Sequence, residues 1–388
     1  MTKTKRGISS VLAAALLCSL CACSGSNSSS SKAESSRPAE SSAAEVTTAE
    51  APTEAKSGVD ELLDGMSTEE KVGQMFYVCW PDANALSRIE NYHPGGFVLF
   101  GVDFADKDAD EIKSTIAAYQ SASKIPMLIG VDEEGGTVVR VSDNPNLRDS
   151  AFMSPKDTYL SGGWEAVEAA ESEKADLLLS LGVNVNNAPV ADVTGNTESF
   201  MYDRSFSSDP ETVSDYIRRT VAICKQKKLG TVLKHFPGYG DNTDTHEDMA
   251  YDAKPYEDFQ NVDFVPFKAG IDSGADAVMV AHNIVASIDE NMPASLSAEA
   301  HRVLRDELGF DGVIMTDELS MAAISNYTGD EAAAVTAIKC GNDLLCCSNV
   351  EAQYPAVLAA VQNGEISEEQ IDASVRRILL WKQKLGLI

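Results

Sequence analysis

The sequence predicts an α/β fold, a single (β/α)8 barrel of the TIM type, and three observations carry that expectation. Eight short apolar or β-branched runs are spaced along the chain, and longer amphipathic stretches separate them. Buried-looking strands alternating with helices imply a parallel sheet, and eight is the number that closes such a sheet into a barrel. No glycine-rich dinucleotide fingerprint or phosphate loop follows any of the runs, which removes the usual functional reason for the rival open, doubly wound sheet.

A helix opens the ordered region, signalled by a capping box in which Ser67 is followed three residues later by Glu70. Strands are expected at residues 74–79, 96–100, 127–131, 183–187, 231–235, 277–281, 312–317 and 343–347. Between them the stretches 110–121, 164–181, 210–227, 297–308 and 331–340 carry the amphipathic pattern of helices. Ser367 with Gln370 repeats the capping-box pattern ahead of a last helix.

The start of the chain has a different character. Residues 1–23 hold Lys3, Lys5 and Arg6, an apolar run from Val11 to Leu17, and the close Leu20-Cys21-Ala22-Cys23. That apolar run is too short to span a bilayer and reads as a signal peptide. A small residue before a cysteine, with leucine three positions before it, resembles a bacterial lipobox, in which Cys23 would be acylated and become the new N-terminus. Residues 24–57 are mainly Ser, Ala, Glu and Thr, so they cannot bury enough surface to offset ordering entropy and read as a disordered tether. The folded part is then residues 58–388, an ordinary length for one α/β barrel. The expected location is extracytoplasmic, with the barrel held at the cell membrane only through the N-terminal lipid.

Composition narrows the function classes. Loss of the three basic residues Lys3, Lys5 and Arg6 takes the formal charge from −29 to −32, which argues against nucleic acid or an anionic membrane surface as direct partners. Of the eight cysteines, Cys18, Cys21 and Cys23 belong to the leader. Cys79, Cys224, Cys340, Cys346 and Cys347 lack zinc-site spacing and are expected as buried free thiols. No cofactor is implied, and neither a His-Glu-x-x-His nor a paired-carboxylate pattern suggests a metal.

A barrel assembles its chemistry at the C-terminal ends of its strands. The third predicted strand ends in Asp132-Glu133-Glu134-Gly135-Gly136 and the fourth in Asn186-Asn187, with Asp192 shortly after. The fifth ends in Lys234-His235, the sixth in Ala281-His282-Asn283 and the seventh in Thr316-Asp317-Glu318. A single polar strand end is more often a cap than a catalyst. Five adjacent ends carrying carboxylate, imidazole, amide or ammonium groups point instead to a reaction centre.

These residues also carry a family resemblance. Lys234-His235-Phe236-Pro237-Gly238-Tyr239-Gly240, followed by Asp244-Thr245-His246, is similar to the signature of glycoside hydrolase family 3 in its bacterial β-N-acetylglucosaminidase branch. Residues 129–136 with Arg140, the run Tyr202-Asp203-Arg204-Ser205-Phe206, and residues 313–321 match in the family's order. The resemblance covers essentially all of residues 58–388. It implies a retaining β-N-acetylhexosaminidase that hydrolyses terminal β-linked N-acetylglucosamine from glycans or muropeptide-like cell-wall fragments through a covalent glycosyl-enzyme.

By that resemblance Asp317 is the nucleophile, and its place at the tip of a buried strand suits the role. Glu318, next in sequence, should turn away from the pocket if strand alternation persists. The resemblance makes His246, paired with Asp244, the acid/base. An imidazole beside a carboxylate has its pKa raised, which keeps the imidazolium available as an acid at neutral pH. Asp132 would accept from ring hydroxyls, Arg140 and Arg204 would anchor the sugar or orient Asp132, and Lys234 with His235 would bind hydroxyls on the other side. His93 and His301 are expected to be structural, and His282 to border the pocket.

Some positions depart from the family pattern. Tyr239 stands where many members carry a second histidine, Glu133 where glutamine is common, and Thr137 where arginine is common. The resemblance therefore does not fix the leaving-group sugar. A β-glucosidase of the same family would take its acid/base from a second domain, for which a chain ending at Ile388 leaves no room. Phosphorolysis would use the same residues, and a surface lipoprotein that binds sugars without cleaving them would need neither Asp317 nor His246. Replacing Cys23 by Ser is expected to move the protein from membrane to soluble fractions with unchanged specific activity. Persistence in the membrane would remove the lipobox reading.

Overall fold

The computed structural model describes residues 58–242, 244–245, 249–325 and 327–388. The segments expected as leader and tether, with Cys23, lie outside these, as does His246. Ten strands occur among the described residues: β1 (Phe76–Cys79), β2 (Gly96–Leu99), β3 (Leu128–Val131), β4 (Val185–Asn186), β5 (Gly230–Phe236), β6 (Tyr251–Asp252), β7 (Ala277–Val280), β8 (Ile284–Val285), β9 (Val313–Thr316) and β10 (Leu345–Cys347). β6 and β8 pair only with each other. The other eight form one parallel sheet in the order β10-β1-β2-β3-β4-β5-β7-β9. A parallel bridge between Met315 and Leu344 joins its two ends and closes the barrel.

All eight predicted strands are present, each displaced by two residues or fewer at its ends. Every residue in them is buried, because the inner face fills the barrel and helices cover the outer one. The interior is tightly filled. A Cβ on Gly130 of β3 would sit 1.5 Å from the Tyr77 hydroxyl of β1, so glycine there makes room for a tyrosine inside the barrel.

The helices differ more from expectation. The predicted 164–181 is the second part of a run Pro155–Leu181 that breaks at Gly162 and Gly163, and Ser154 caps its start. The predicted 297–308 is an α-helical turn Ala298–Arg302 that widens into a π-turn Val303–Glu307. Helices Ala85–Tyr92, Phe264–Ser273 and Val350–Gln362 were not anticipated. Both arms of the Ser67/Glu70 box form, at 3.0 and 3.2 Å. Only one forms at the last helix: Gln370 N donates to Ser367 Oγ, while the Gln370 amide donates to Ile338 O, an end carbonyl of the helix Asp330–Cys340.

The seam below the strand end that carries Asp317 is held by a buried carboxylate. Asp343 accepts from Ile314 N at 2.9 Å and pairs with Arg305 and Arg377. Removing one side of a buried pair costs about 3–5 kcal/mol, and less here because both arginines keep part of their surface in water. The five barrel cysteines are free, and four are buried. Cys79 and Cys346 bring their sulfurs to 3.2 Å inside the barrel.

Candidate active site

The C-terminal ends of the strands open into one cavity of about 310 Å³. Six of the predicted site residues line it together: Asp132, Arg140, Arg204, Lys234, His235 and Asp317. Asp244 is described but does not line the cavity, and His246 lies outside the described residues. A larger hollow of about 600 Å³ lies on the outer helices beside Arg218, Phe264 and Lys268, away from every strand end.

One wall of the cavity is an ion network between β3 and β5. Lys234 Nζ lies 2.7 Å from Asp132 Oδ1 and 2.7 Å from Glu134 Oε1. Arg204 grips the same Glu134 with two parallel bonds of 3.0 and 2.8 Å, the geometry a planar guanidinium makes with a carboxylate. Burial alone would push the Glu134 carboxyl up. The adjacent Arg204 and Lys234 charges outweigh it and hold the group well below the usual carboxylate range. Lys174, itself buried and paired with Glu171, donates to the Glu134 carbonyl at 3.0 Å and fixes the backbone as well.

Consecutive residues on a regular strand face opposite sides, yet Lys234 and His235 both line the cavity. The pairing register of β5 with β7 shifts between Leu233 and Phe236, and the irregularity re-aims the two side chains. Arg204 Nη2 approaches His235 Nε2 at 3.3 Å. Arginine only donates, so Nε2 accepts and the ring proton sits on Nδ1, donated to Asp192 at 2.8 Å. Asp192 also accepts from the backbone N–H of His235 and Tyr239 and thereby shapes the loop after β5. Gly238 in that loop has φ +123°, and Asp263 occupies the space where a Cβ would go.

Tyr239, the residue that replaces a histidine of the family pattern, holds the same loop further on. Its hydroxyl meets Thr245 Oγ1 at 2.5 Å and so ties together the two sides of the segment that contains Asp244. Burial raises this phenol well above its ordinary value, and the charges of Asp317, Asp192 and Asp244 add to the effect.

Asp317 follows the last residue of β9, and its backbone N–H still donates to Val280 O at 3.0 Å, which extends the ladder to the nucleophile candidate itself. Glu318 does not turn away as alternation predicts, because the strand has already ended at Thr316. The residue lines the cavity, and its carboxylate accepts from Ser348 N and Oγ at 2.9 and 2.8 Å. Burial raises its pKa. His282 is also a correction: it is fully buried between Ser295 Oγ at 2.7 Å and Glu318 O at 2.9 Å, and braces the Asp317 loop instead of bordering the pocket. His301 is buried, with Nδ1 on Ser297 O, and His93 ends a helix in the left-handed conformation, so both are structural as expected.

Glu133 and Glu134 divide their work. Glu133 is buried and accepts from the backbone N–H of Arg140, Val141 and Ser142 and from the Ser142 hydroxyl, so it shapes the loop that carries Arg140. Glu134 and Asn187, named from the sequence among the polar strand ends but assigned no role there, also line the cavity. Trp80 and Phe100 were not named, although the same strand-end rule applied to the first two strands would have found them. Among the described residues no group of three or more His, Cys, Asp or Glu is arranged to hold a metal ion.

A family model described as the glycosyl hydrolase family 3 N-terminal domain matches residues 67–380. A protein named beta-hexosaminidase from Xanthomonas campestris pv. campestris is 33% identical over 296 residues, covering 76% of this chain and 84% of that protein. Among solved structures, a glycoside hydrolase family 3 beta-N-acetylglucosaminidase from Paenibacillus sp. superposes with a TM-score of 0.79 at 31% identity over 83% of this chain. This chain spans 63% of that longer protein. The structure titled M tuberculosis LpqI superposes with a TM-score of 0.77 at 29% identity, covering 84% of this chain and 96% of that one.

The Glu134 network makes a prediction for acid. The ordinary value is 4.5 and the folded one lies far below it, so the ionised carboxylate contributes stability that is present above 4.5 and is lost as pH falls through the folded value. Glu134→Gln should lower the unfolding free energy at neutral pH by ~3 kcal/mol, measured by urea denaturation. Between about pH 5 and pH 3 its stability should fall less steeply than that of the wild type. Parallel curves would show that Glu134 is not the coupled group.

Proposed function

This chain belongs to glycosyl hydrolase family 3, and from that premise we propose that it is a retaining β-N-acetylhexosaminidase removing terminal β-linked N-acetylglucosamine from glycans or cell-wall fragments. The observation that carries the reading is the company Asp317 keeps. One cavity near the lower size limit for ligand pockets contains that carboxylate and the Asp132, Glu134, Arg204, Lys234 and His235 network, which suits a single polyhydroxylated ring.

In the first half-reaction the Asp317 carboxylate attacks the anomeric carbon, and the leaving oxygen takes a proton from His246. In the second, the deprotonated imidazole removes a proton from water, which displaces Asp317 and gives a product of retained configuration. Asp244 orients His246 and raises its pKa. Lys234, already neutralising Asp132, would present both groups to ring hydroxyls without introducing an unpaired buried charge. Arg140 and the Arg204–His235 pair complete the hydroxyl contacts.

A three-substrate panel tests the assignment. A nitrophenyl β-N-acetylglucosaminide should be cleaved far faster than the matching β-glucoside. Truncating His246 to Ala should slow a natural disaccharide by roughly 10²- to 10⁴-fold, the span of general acid catalysis, and should slow the nitrophenyl glycoside much less in single-turnover measurements. Equal loss on both N-acetylglucosaminides would move the acid to Glu318, which lines the same cavity and whose carboxyl burial raises. Faster turnover with added phosphate would identify phosphorolysis.

A further inference from the structure

The asparagines in and around β4 are not equivalent. Asn184 accepts from Ile129 N at 2.8 Å and donates to Met127 O at 3.0 Å. Asn186, two residues on, accepts from Glu133 N and donates to Glu133 O, both at 3.0 Å. Both amides are spent on the backbone of β3 and its flanks. Asn187 is different. Its backbone N–H continues the ladder to Val131 O at 2.8 Å, but the residue lines the cavity, and its Oδ1 is buried with no hydrogen-bond partner among the described residues.

A second orphan lies beside it. The Tyr77 hydroxyl, which reaches into the barrel from β1, is likewise buried and without a partner among the described residues. A Cβ on Gly130 would sit 1.5 Å from that hydroxyl and 3.4 Å from Asn187 Oδ1, so the two oxygens are neighbours across the glycine. Buried polar groups are almost always bonded, and two orphans side by side at a cavity floor call for partners. The phenol O–H is a donor and Oδ1 an acceptor, so one bond between them satisfies both. It also fixes the amide, because nitrogen cannot accept that proton, and leaves the Nδ2 donor for whatever enters the cavity.

Topology indicates what that is. In the closed ring of eight strands β4 lies three strands from β9 in one direction and five in the other, so Asn187 stands nearly across the cavity from Asp317. Asp132 and Lys234, at the ends of the strands on either side of β4, join at 2.7 Å. A pyranose whose anomeric carbon meets Asp317 turns its C3–C4 edge to the opposite wall, since C4 is the ring carbon farthest from C1. We propose that Asn187, aimed by Tyr77, is a specificity-determining residue that donates from Nδ2 to a hydroxyl on that C3–C4 edge. The proposal rests on the hexosaminidase reading of the same cavity.

Deoxy substrates separate this contact from a packing role. For each enzyme form kcat/KM is measured on the nitrophenyl β-N-acetylglucosaminide and on its 3-, 4- and 6-deoxy analogues, and the parent-to-deoxy ratio is taken. Intrinsic reactivity cancels when ratios are compared between wild type and variant, and so does any loss of folded protein. In Asn187→Ala the ratio for the 3- or the 4-deoxy analogue should fall about fivefold, equivalent to ~1 kcal/mol and the size of one neutral hydrogen bond, while the 6-deoxy ratio stays unchanged. Tyr77→Phe, which removes one oxygen and keeps the ring, should lower the same ratio. If Asn187→Ala gave no active protein, Tyr77→Phe alone would carry the test. Unchanged 3- and 4-deoxy ratios in either active variant, or an equal fall for all three analogues, would overturn the proposal. If the wild type turned over no N-acetylglucosaminide, the hexosaminidase reading would fall, and the same panel of β-glucosides, whose C3–C4 edge is identical, would decide on Asn187. Turnover of neither series would overturn both.

Discussion

Glu134 is buried at the third strand end and shared between two cations from two other parts of the chain, Arg204 and Lys234. Taking a carboxylate and two cations out of water is expensive, and only mutual pairing offsets it, so none of the three can move independently. Their positions then propagate. Lys234 brings in Asp132, and Arg204 sets the tautomer of His235. His235 in turn orients on Asp192, which shapes the loop after β5. Most of the polar wall of the cavity thus hangs on one ion triad.

The opposite side is built differently. Asp317 stands where the ladder of β9 gives out, with Glu318, Ser348 and His282 packed behind it. Below it, Asp343 holds the seam at which the barrel closes. Trp80 and Phe100, stacked with centroids 4.3 Å apart, line the cavity as well. A rigid floor and a shaped mouth are what a reaction needs when one ring must be fixed and its substituent must leave.

The barrel was legible because its strands are buried on both faces. Continuous apolar runs such as residues 277–281 cannot be confused with half-exposed strands, and a two-residue error at either end leaves the topology untouched. Helices such as Ala85–Tyr92 and Val350–Gln362 were missed because their apolar faces are short and packing, not periodicity, decides them. The cavity residues were legible wherever a polar group directly follows an apolar run. His282 was misjudged because β7 ends at Val280, two residues before it, so a place near the strand end did not fix where its side chain points; for Glu318 the condition of continued alternation fails, since β9 ends at Thr316. Trp80 escaped notice because an aromatic after a strand looks like core until its exposure is known.

The central claim is that Asp317 becomes covalently glycosylated, and trapping tests it most directly. A 5-fluoro N-acetylglucosaminyl fluoride accelerates formation of a glycosyl-enzyme relative to its breakdown, and proteolysis with tandem mass spectrometry then locates the sugar. The account predicts one adduct, on Asp317, in the peptide that also contains Glu318. An adduct on Glu318 or on any other residue, or an α-configured product without an adduct, would contradict it.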